Sequence, residues 1–258
     1  MPDYLLRRLP SGHIFIDPGD DCDRIVDILL GTDYSEDFCL ARDFDEDFIG
    51  RLMESGFLVM SMKLKDDEDK TDSSDEPVNA EPSYSEPGYT EPFYILLPKL
   101  HLVRSVLFFP ELHIKKSIRR FLSMYELRVD TDFDLILDKC VRIHGEDWLT
   151  PPLVEVLKSM RRRDTPSRVK PVSFALYRDG VLKAGEVGVV IGRVYTSYSG
   201  YYEEKNSGTV QMILMSRWLE KTGFDFLDLG MPLDYKTALG AQDIEPRRFV
   251  QLFRAARY

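Results

Sequence analysis

The chain has 258 residues, of which 43% are hydrophobic and 30% charged, and its formal net charge is -10. This length is enough to bury a sizeable core as one large domain or two small ones, so we expect a monomer. No apolar run approaches the roughly 18 residues that span a bilayer, and the N-terminal MPDYLLRRLPSG lacks the apolar block of a signal peptide, which excludes a membrane protein and favours a cytoplasmic one.

The first 62 residues predict a small N-terminal α/β domain. The segment GHIFIDPG alternates apolar and polar residues like a strand that ends at Pro18-Gly19, and DDCDRIVDILLG follows as a short helix closed by Gly31. DEDFIGRLMESGF predicts a second helix, which ends at Gly56.

Residues 63–92 are polar and mostly acidic. A Glu-Pro-x-Tyr motif occurs three times from residue 81 to 94, with tyrosines at 84, 89 and 94, so its last copy runs just past the segment. Such a segment has too little apolar surface to offset the entropy of ordering, so we expect a flexible insertion. Deleting residues 66–90 should leave the fold intact. Two roles stay open for it: competition with RNA for a basic site, or a tolerated surface insertion.

Strands and short helices alternate between residues 93 and 172. YILLPKLHLVRSVLFF supplies strand material, HIKKSIRRFL predicts a short basic helix, and Tyr125 to Val129 predict a strand. We expect Asp130-Thr131 to cap the next helix. A further helix starts near Thr150, with two prolines in its first turn.

Residues 173–241 predict the centre of the fold. A strand from Ser173 leads into an Asp179-Gly180 turn and a second strand, and a third strand covers Val194 to Tyr198. A helix and the strand FDFLDL, which ends on Asp228, follow. This order of three strands, a helix and a further strand favours an α+β fold of the acetyltransferase (GNAT) type over residues 93–258. Such a fold has a mixed, mostly antiparallel sheet with flanking helices.

Metal and cofactor chemistry find little support in the sequence. The four histidines are dispersed and the three cysteines lack C-x-x-C spacing, so we expect neither a metal site nor a disulfide framework. No G-x-S-x-G elbow supports a Ser-His-Asp triad. The chain has EEKNSGT where an acetyltransferase has its glycine-rich phosphate loop, so we expect no coenzyme A and no other cofactor.

Several motifs follow one another at fixed spacings from Ala184 to Ala241. They are A-G-x-x-G-V-x-I-G-R-x-Y, x-S-x-Y, N-S, F-x-x-L-D and A-L-G-A. In this order the chain resembles the leucyl/phenylalanyl-tRNA–protein transferases, which usually have G-G-x-Y-G-V-x-x-G-x-x-F, G-E-S-M-F-S, N-A-S-K, D-C-Q and H-x-x-S-L-G-A. The similarity extends upstream through DWLT and ELHIKKSIRRFL, and more faintly to Asp43.

The resemblance implies transfer of leucine, phenylalanine or a similar residue from charged tRNA to a protein N-terminus. It implies that Asp228 assists attack of the acceptor's α-amino group, because a carboxylate at a partly dry strand end can accept a proton. The alternative is an aspartate that caps the turn after the strand. Apolar residues around Trp148 and from Val187 to Ile191 would receive the transferred side chain. The implied substrate-binding residues are Trp148, Ser173, Tyr198, Ser199 and Tyr235, for several of which packing is the alternative.

Positive charge is concentrated in the C-terminal two-thirds of the chain. The net charge is -9 over residues 1–62, -7 over 63–92 and +6 over 93–258, and the local field decides what a polyanion meets. Two clusters are predicted to bind tRNA phosphates, with solvated helix faces as the alternative. The first comprises Lys115, Lys116, Arg119 and Arg120, and the second Arg161, Arg162, Arg163, Arg168 and Lys170.

Several polar residues of the family's pattern are replaced at matching positions. Ala175 and Tyr198 stand for glutamates, Gly230 for a glutamine, Tyr235 for a histidine and Ala238 for a serine. Because the spacing is kept, we expect a retained fold with an altered substrate or lost activity. Two functions stay open: a divergent aminoacyltransferase, or a non-catalytic relative that binds tRNA or a protein N-terminus as an adaptor.

Overall fold

The computed structural model describes residues 6–32, 34–64 and 92–258. The interior of the predicted acidic insertion, with the deletion considered there, lies outside these ranges. Within them no helix is both long and apolar enough to cross a bilayer.

The described ranges contain eleven strands and eight α-helices. The strands are β1 (Arg7–Arg8), β2 (Ile14–Phe15), β3 (Leu58–Lys63), β4 (Tyr94–Lys99), β5 (Arg104–Leu107), β6 (Glu126–Val129), β7 (Val169–Arg178), β8 (Val181–Ile191), β9 (Val194–Tyr202), β10 (Phe226–Asp228) and β11 (Gln242–Ile244). The helices are α1 (Cys22–Gly31), α2 (Glu46–Glu54), α3 (Lys116–Arg119), α4 (Phe133–His144), α5 (Pro151–Arg162), α6 (Ser207–Lys221), α7 (Asp234–Ala238) and α8 (Pro246–Ala256).

The main sheet has seven strands in the order β11-β5-β10-β9-β8-β7-β6. Its pairs are antiparallel except for β9 and β10, which run parallel. A parallel pair needs a crossover connection, and α6 lies in the chain between these two strands. The expectation of an α+β fold with a mostly antiparallel sheet and flanking helices is confirmed.

The predicted hairpin between β7 and β8 is also confirmed. Asp179 and Gly180 have φ values of 51° and 75°, and positive φ at both central residues is typical of the two-residue turns that suit the twist of a hairpin. Farther along, Val187 pairs with Ser199 and Gly188 with Ser197, so Tyr198 is an extra residue in β9. Because a β-bulge bends the strand that holds the extra residue, β9 is bent near Tyr198, in its middle.

The start of α4 differs from the prediction. Asp132, not the Asp130-Thr131 pair, precedes the helix, and it has a left-handed backbone with φ 55°. Its carboxylate accepts a hydrogen bond from the Tyr177 hydroxyl at 2.8 Å and caps no helical N–H. The start of α5 agrees with the prediction, since Thr150 precedes Pro151.

The N-terminal segment does not separate from the rest of the chain at residue 93. Strand β3 pairs along its whole length with β4, from Leu58 opposite Lys99 to Lys63 opposite Tyr94. One hydrophobic cluster joins Ile14, Phe48 and Val59 to Ile136 and other residues of the main sheet and its helices. The three-part division of the chain therefore stays a prediction, and this shared core argues against independent folding of residues 1–62.

Alternating residues of the central strands pack in two hydrophobic cores on opposite faces of the main sheet. Phe174 and Leu176 pack in the cluster that includes α6, whereas Ala175 packs in the cluster that includes α4, α5 and α8. The sheet is thus covered on both faces.

Candidate functional site

A cavity of about 970 Å³ opens where β9 and β10 separate. Strand β10 pairs with β9 only as far as Asp228 opposite Thr196, whereas β9 continues to Tyr202 along β8. Beyond Thr196 the cavity is bounded by β9, the start of α6, the loop after β10 and part of β3. Clefts of this size next to a strand end are the usual place for small-ligand sites.

A buried ion pair between Arg104 of β5 and Asp228 of β10 stands at this strand end. The guanidinium donates two hydrogen bonds to the carboxylate, Nε to Oδ1 at 2.7 Å and Nη2 to Oδ2 at 2.6 Å. Oδ2 also accepts from the Thr196 hydroxyl at 2.9 Å, and Oδ1 from the Gly230 amide at 3.0 Å. Both carboxylate oxygens are therefore occupied, and Asp228 has no solvent exposure.

This environment differs from the available carboxylate at a partly dry strand end that the sequence predicts. Burial alone raises the pKa of Asp228, but the Arg104 charge and the hydrogen bonds together outweigh it and hold the pKa below its usual range. A carboxylate with a low pKa is a weak base at neutral pH. Asp228 does not line the cavity, and the amide it binds belongs to the turn after the strand, as the alternative interpretation of this aspartate predicts.

Four of the five predicted substrate-binding residues do line the cavity: Trp148, Tyr198, Ser199 and Tyr235. The Tyr198 hydroxyl accepts a hydrogen bond from the Val59 amide at 3.0 Å, so the bulged residue of β9 also anchors β3. Burial raises the pKa of Tyr198 above its usual value, so the hydroxyl stays protonated at neutral pH and is not available as a base.

Ser173 and the apolar segment from Val187 to Ile191 lie elsewhere. The Ser173 hydroxyl donates to the Thr131 carbonyl oxygen at 2.5 Å and is buried away from the cavity. Val187, Val189 and Ile191 pack in the core. These residues lie outside the cavity lining, and their role in substrate binding stays a prediction.

Glu186 of β8 is an unpredicted feature of the cavity. Its side chain is 2% exposed and lines the cavity, and Oε1 has no hydrogen-bonding partner among the described residues. Oε2 accepts a long hydrogen bond from the Gln211 amide, at 3.5 Å. Burial raises the pKa of Glu186 to about 7, opposed by the Ser197 hydroxyl and Gln211. The sequence did contain a signal for Glu186, because it is the single charged residue in the apolar run AGEVGVVIG. Glutamate is rarely buried without a partner, so a buried glutamate in such a strand indicates a functional residue.

Lys236 of α7 is a second buried charge that sequence reasoning missed. Its ammonium donates hydrogen bonds to the Leu229 and Met231 carbonyl oxygens, at 2.6 and 2.8 Å, and it lines the cavity. Burial lowers its pKa, against the attraction of Asp228 and Glu186. Lys236 therefore fixes the loop that follows β10.

The two predicted basic clusters differ in how they are neutralised. Lys115, Lys116, Arg119 and Arg120 are exposed around α3, and none of them forms an ion pair with another described residue. Lys115 also lines the cavity. This first cluster leaves its charge available to a polyanion.

The second cluster is paired with acidic side chains throughout. Arg161 and Lys170 contact Asp130, Arg162 contacts Asp134, Arg163 contacts Glu46 and Asp47, and Arg168 contacts Glu54. Its phosphate-binding role stays a prediction, but most of its charge is already compensated within the chain.

Among residues 6–32, 34–64 and 92–258, no group of three or more His, Cys, Asp or Glu side chains is arranged to hold a metal ion. The three cysteines are buried and unpaired. Burial raises the pKa of Cys22 to about 11, so its thiol is not activated.

Replacing Asp228 by Asn should destabilise the fold strongly, because it leaves the Arg104 guanidinium buried without a counter-charge. We expect a loss of about 3 to 5 kcal/mol in the free energy of unfolding, measured by urea denaturation. Asp225→Asn is the matched control: Asp225 also pairs with an arginine, Arg193, at 2.9 Å, but both side chains are about half exposed, and such pairs contribute about 1 kcal/mol or less. Equal, small losses for the two variants would contradict the assignment.

Glu186 should make stability fall with rising pH. Its folded-state pKa is raised from 4.5 to about 7, so the folded protein holds this proton more tightly than the unfolded chain. The stability linked to that proton is complete below about pH 4.5 and lost as pH rises through 7. Between pH 5 and 8 the wild type should lose about 3 kcal/mol more than Glu186→Gln, which cannot ionise. The check is the free energy of unfolding measured against pH for both proteins. Parallel curves for wild type and Glu186→Gln would show that the pKa of Glu186 is not raised in the fold.

Comparison with known proteins identifies the family. The family model for leucyl/phenylalanyl-tRNA protein transferase matches residues 106–254. The chain is 28% identical over 151 residues to the leucyl/phenylalanyl-tRNA–protein transferase of Pseudomonas putida, a match that covers 57% of this chain and 65% of that protein. It is 27% identical over 150 residues to the same enzyme of Campylobacter lari, covering 58% and 67%.

The matched part of the chain thus spans just under two thirds of the Pseudomonas relative. Among solved structures, the C-terminal domain of an Agrobacterium fabrum protein described as a lysylphosphatidylglycerol synthetase is similar with a TM-score of 0.40 and 12% identity, over 88% of this chain and 65% of that one. Because the family model covers more than half of its residues, this chain belongs to the leucyl/phenylalanyl-tRNA–protein transferase family.

Proposed function

We propose that the chain transfers leucine, phenylalanine or a similar residue from charged tRNA to a protein N-terminus, and that the reaction takes place in the cavity beside β10. Charged tRNA places such a reaction in the cytoplasm. The observation that carries the proposal is the distribution of charge around the cavity. Lys115 and Lys205 are exposed at its rim and form no ion pair with any described residue, whereas Glu186 is the only acidic residue among the described residues of its lining.

This distribution is complementary to the aminoacyl end of a tRNA. Phosphates are anionic and suit the lysines at the rim, while the α-ammonium of the aminoacyl group is a cation with three N–H donors. Glu186 Oε1 is a buried acceptor without a partner, and a carboxylate is the strongest acceptor for an ammonium. Met212, Ile213 and Trp148 supply apolar surface to the transferred side chain.

The main sheet supports an acetyltransferase-like assignment. A parallel pair of strands joined by α6, with a cavity at the point where the strands separate, is the feature that suggests it. Within this arrangement we assign Asp228 a positioning role, because its carboxylate holds Arg104, Thr196 and the Gly230 amide at the end of β10. Loss of activity in Asp228 variants should then follow their loss of stability.

A non-catalytic adaptor is the second candidate. The observation that favours it is the replacement of several polar residues of the family's pattern, at Ala175, Tyr198, Gly230 and Tyr235. An adaptor would bind tRNA or a protein N-terminus in the same cavity without joining them.

Transfer should be detectable directly and should depend on Glu186. The assay combines tRNA charged with labelled leucine or phenylalanine, a peptide that begins with Lys or Arg, and the wild-type chain or Glu186→Gln. We expect the variant to lower kcat/KM by roughly 10- to 100-fold, since a hydrogen bond to a charged group contributes about 1.5 to 3 kcal/mol. Glu220→Gln, which removes an exposed carboxylate outside the cavity, should leave the rate unchanged.

No transfer with any charged tRNA, together with intact tRNA binding, would replace the transferase by the adaptor.

Binding to tRNA should depend on salt through the first basic cluster. Replacing Lys115, Lys116, Arg119 and Arg120 by Ala should lower the slope of log affinity against log salt by about 0.7 to 0.9 for each lost phosphate contact. Arg161, Arg162 and Arg163 replaced by Ala provide the matched control, because their charges are already paired within the chain. A larger loss of slope in this control, or binding that does not depend on salt, would refute the assignment.

A further inference from the structure

A second unpartnered polar atom faces the cavity from the segment between β4 and β5. His101 lines the cavity and is 3% exposed, and its Nε2 has no hydrogen-bonding partner among the described residues. A Cβ atom built on Gly230 would lie 3.8 Å from this nitrogen. The imidazole therefore reaches the loop directly after Asp228, at the same end of the sheet.

The other ring nitrogen determines which tautomer is present. Nδ1 lies 3.4 Å from an Asp37 carboxylate oxygen. Hydrogen bonds from His101 and Lys99, opposed by burial, hold the pKa of Asp37 well below its usual range, so its ionised carboxylate only accepts. Nδ1 therefore carries the proton, and Nε2 keeps its lone pair.

The surroundings of His101 keep its ring neutral. Burial lowers its pKa, Asp37 opposes this effect, and the nearby Arg104 and Lys99 charges lower the pKa further. Its backbone is also held in the left-handed region, with φ 27°, which is uncommon for any residue except glycine and concentrates at functional sites. A neutral imidazole with one free lone pair and a carboxylate on its other nitrogen has the arrangement of an oriented base.

We propose that His101 takes the proton from the α-ammonium of the acceptor protein, with Asp37 as the residue that positions it. The inference rests on the proposed transferase function and adds to it the group that activates the nucleophile. A free α-amino group has a pKa of about 7.7 to 8.0 and is mostly protonated at neutral pH, so it cannot attack until it loses a proton.

Every proton and bond of the transfer reaction can be accounted for within the cavity. One proton moves from the ammonium nitrogen to Nε2, and Asp37 stabilises the imidazolium. The neutral amine attacks the ester carbonyl carbon, the new C–N bond forms, and the C–O bond to the terminal ribose of the tRNA breaks. The leaving ribose oxygen takes the second proton of the amine, and His101 returns its proton to water.

Two ammonium groups enter this reaction, and three described residues of the lining have a buried polar atom without a partner: Glu186, His101 and Tyr201. Burial raises the pKa of the Tyr201 hydroxyl, so it stays protonated at neutral pH and is not available as a base. Glu186 is suited to the aminoacyl ammonium, which stays charged throughout and needs a counter-charge. An ammonium beside Glu186 lowers the pKa of the carboxyl and makes it a weaker base. Asp228 is already ionised and occupied by Arg104.

Three histidines line the described cavity, and His113 and His144 are exposed, whereas His101 is buried and has an unpartnered ring nitrogen beside Gly230. We therefore assign the proton transfer to His101.

The test compares two acceptors for wild type and His101→Gln under single-turnover conditions. One is a peptide with an ordinary α-amine, the other an acyl hydrazide, whose terminal nitrogen is unprotonated at neutral pH. We expect His101→Gln to lower the rate with the peptide by about 10²- to 10⁴-fold, the usual effect of a general base. With the hydrazide, which needs no prior deprotonation, we expect a loss of about tenfold or less.

His13→Gln is the matched control, because His13 also pairs with a carboxylate, Glu36, at 3.6 Å but lies outside the cavity lining. It should change neither rate. Equal losses with both acceptors in His101→Gln would mean that the residue is only structural and would overturn the proposal. So would an unchanged rate with the peptide.

A second measurement separates this proposal from the transferase function itself. If the wild type transfers nothing, nitrogen NMR of the His101 ring is followed while a peptide with a free α-amine, or its acetylated form, is added. A change in the chemical shift of Nε2 with the free amine, but not with the acetylated peptide, supports docking of the amine at His101. An unchanged chemical shift with both peptides overturns the inference.

Discussion

The ion pair between Arg104 and Asp228 is the interaction on which the arrangement of the site depends. It joins β5 to β10, and the carboxylate adds Thr196 of β9 and the Gly230 amide to the same cluster. The guanidinium also lies 4.4 Å from the centre of the Phe249 ring of α8. Removing one partner of a buried ion pair destabilises a protein far more than the intact pair stabilises it. These elements are therefore held together at the place where β10 ends. That end determines where the cavity opens.

The cavity contains polar groups that folding leaves without partners. Glu186 Oε1 and His101 Nε2 are both buried and unbonded among the described residues, and an unsatisfied buried group costs about 1 to 3 kcal/mol. A ligand with N–H donors would satisfy both. The lysines at the rim and the apolar walls complete a site for an anionic chain that carries an amine, and charged tRNA is the ligand that we propose for it.

The order of strands and helices could be predicted because its signals are local. The Asp179-Gly180 turn, the proline start of α5 and the strand that ends on Asp228 are read from neighbouring residues. Contacts between distant residues could not be read in this way. Arg104 is 124 positions from its partner, so the sequence predicts an available carboxylate at Asp228 where the structure has an occupied one. The ion pairs of the second basic cluster could not be predicted for the same reason, because Glu46 and Asp47 meet Arg163 only in the fold.

A crystal structure of the chain with an aminoacyl-adenosine whose ester is replaced by a stable amide tests the central claim most directly. We expect the nucleoside to lie near Lys115 and Lys205 and the aminoacyl ammonium to be within hydrogen-bonding distance of Glu186, with the Arg104–Asp228 pair unchanged. A ligand bound outside the cavity, or an Asp228 carboxylate released from Arg104 and in contact with the ammonium, would contradict it.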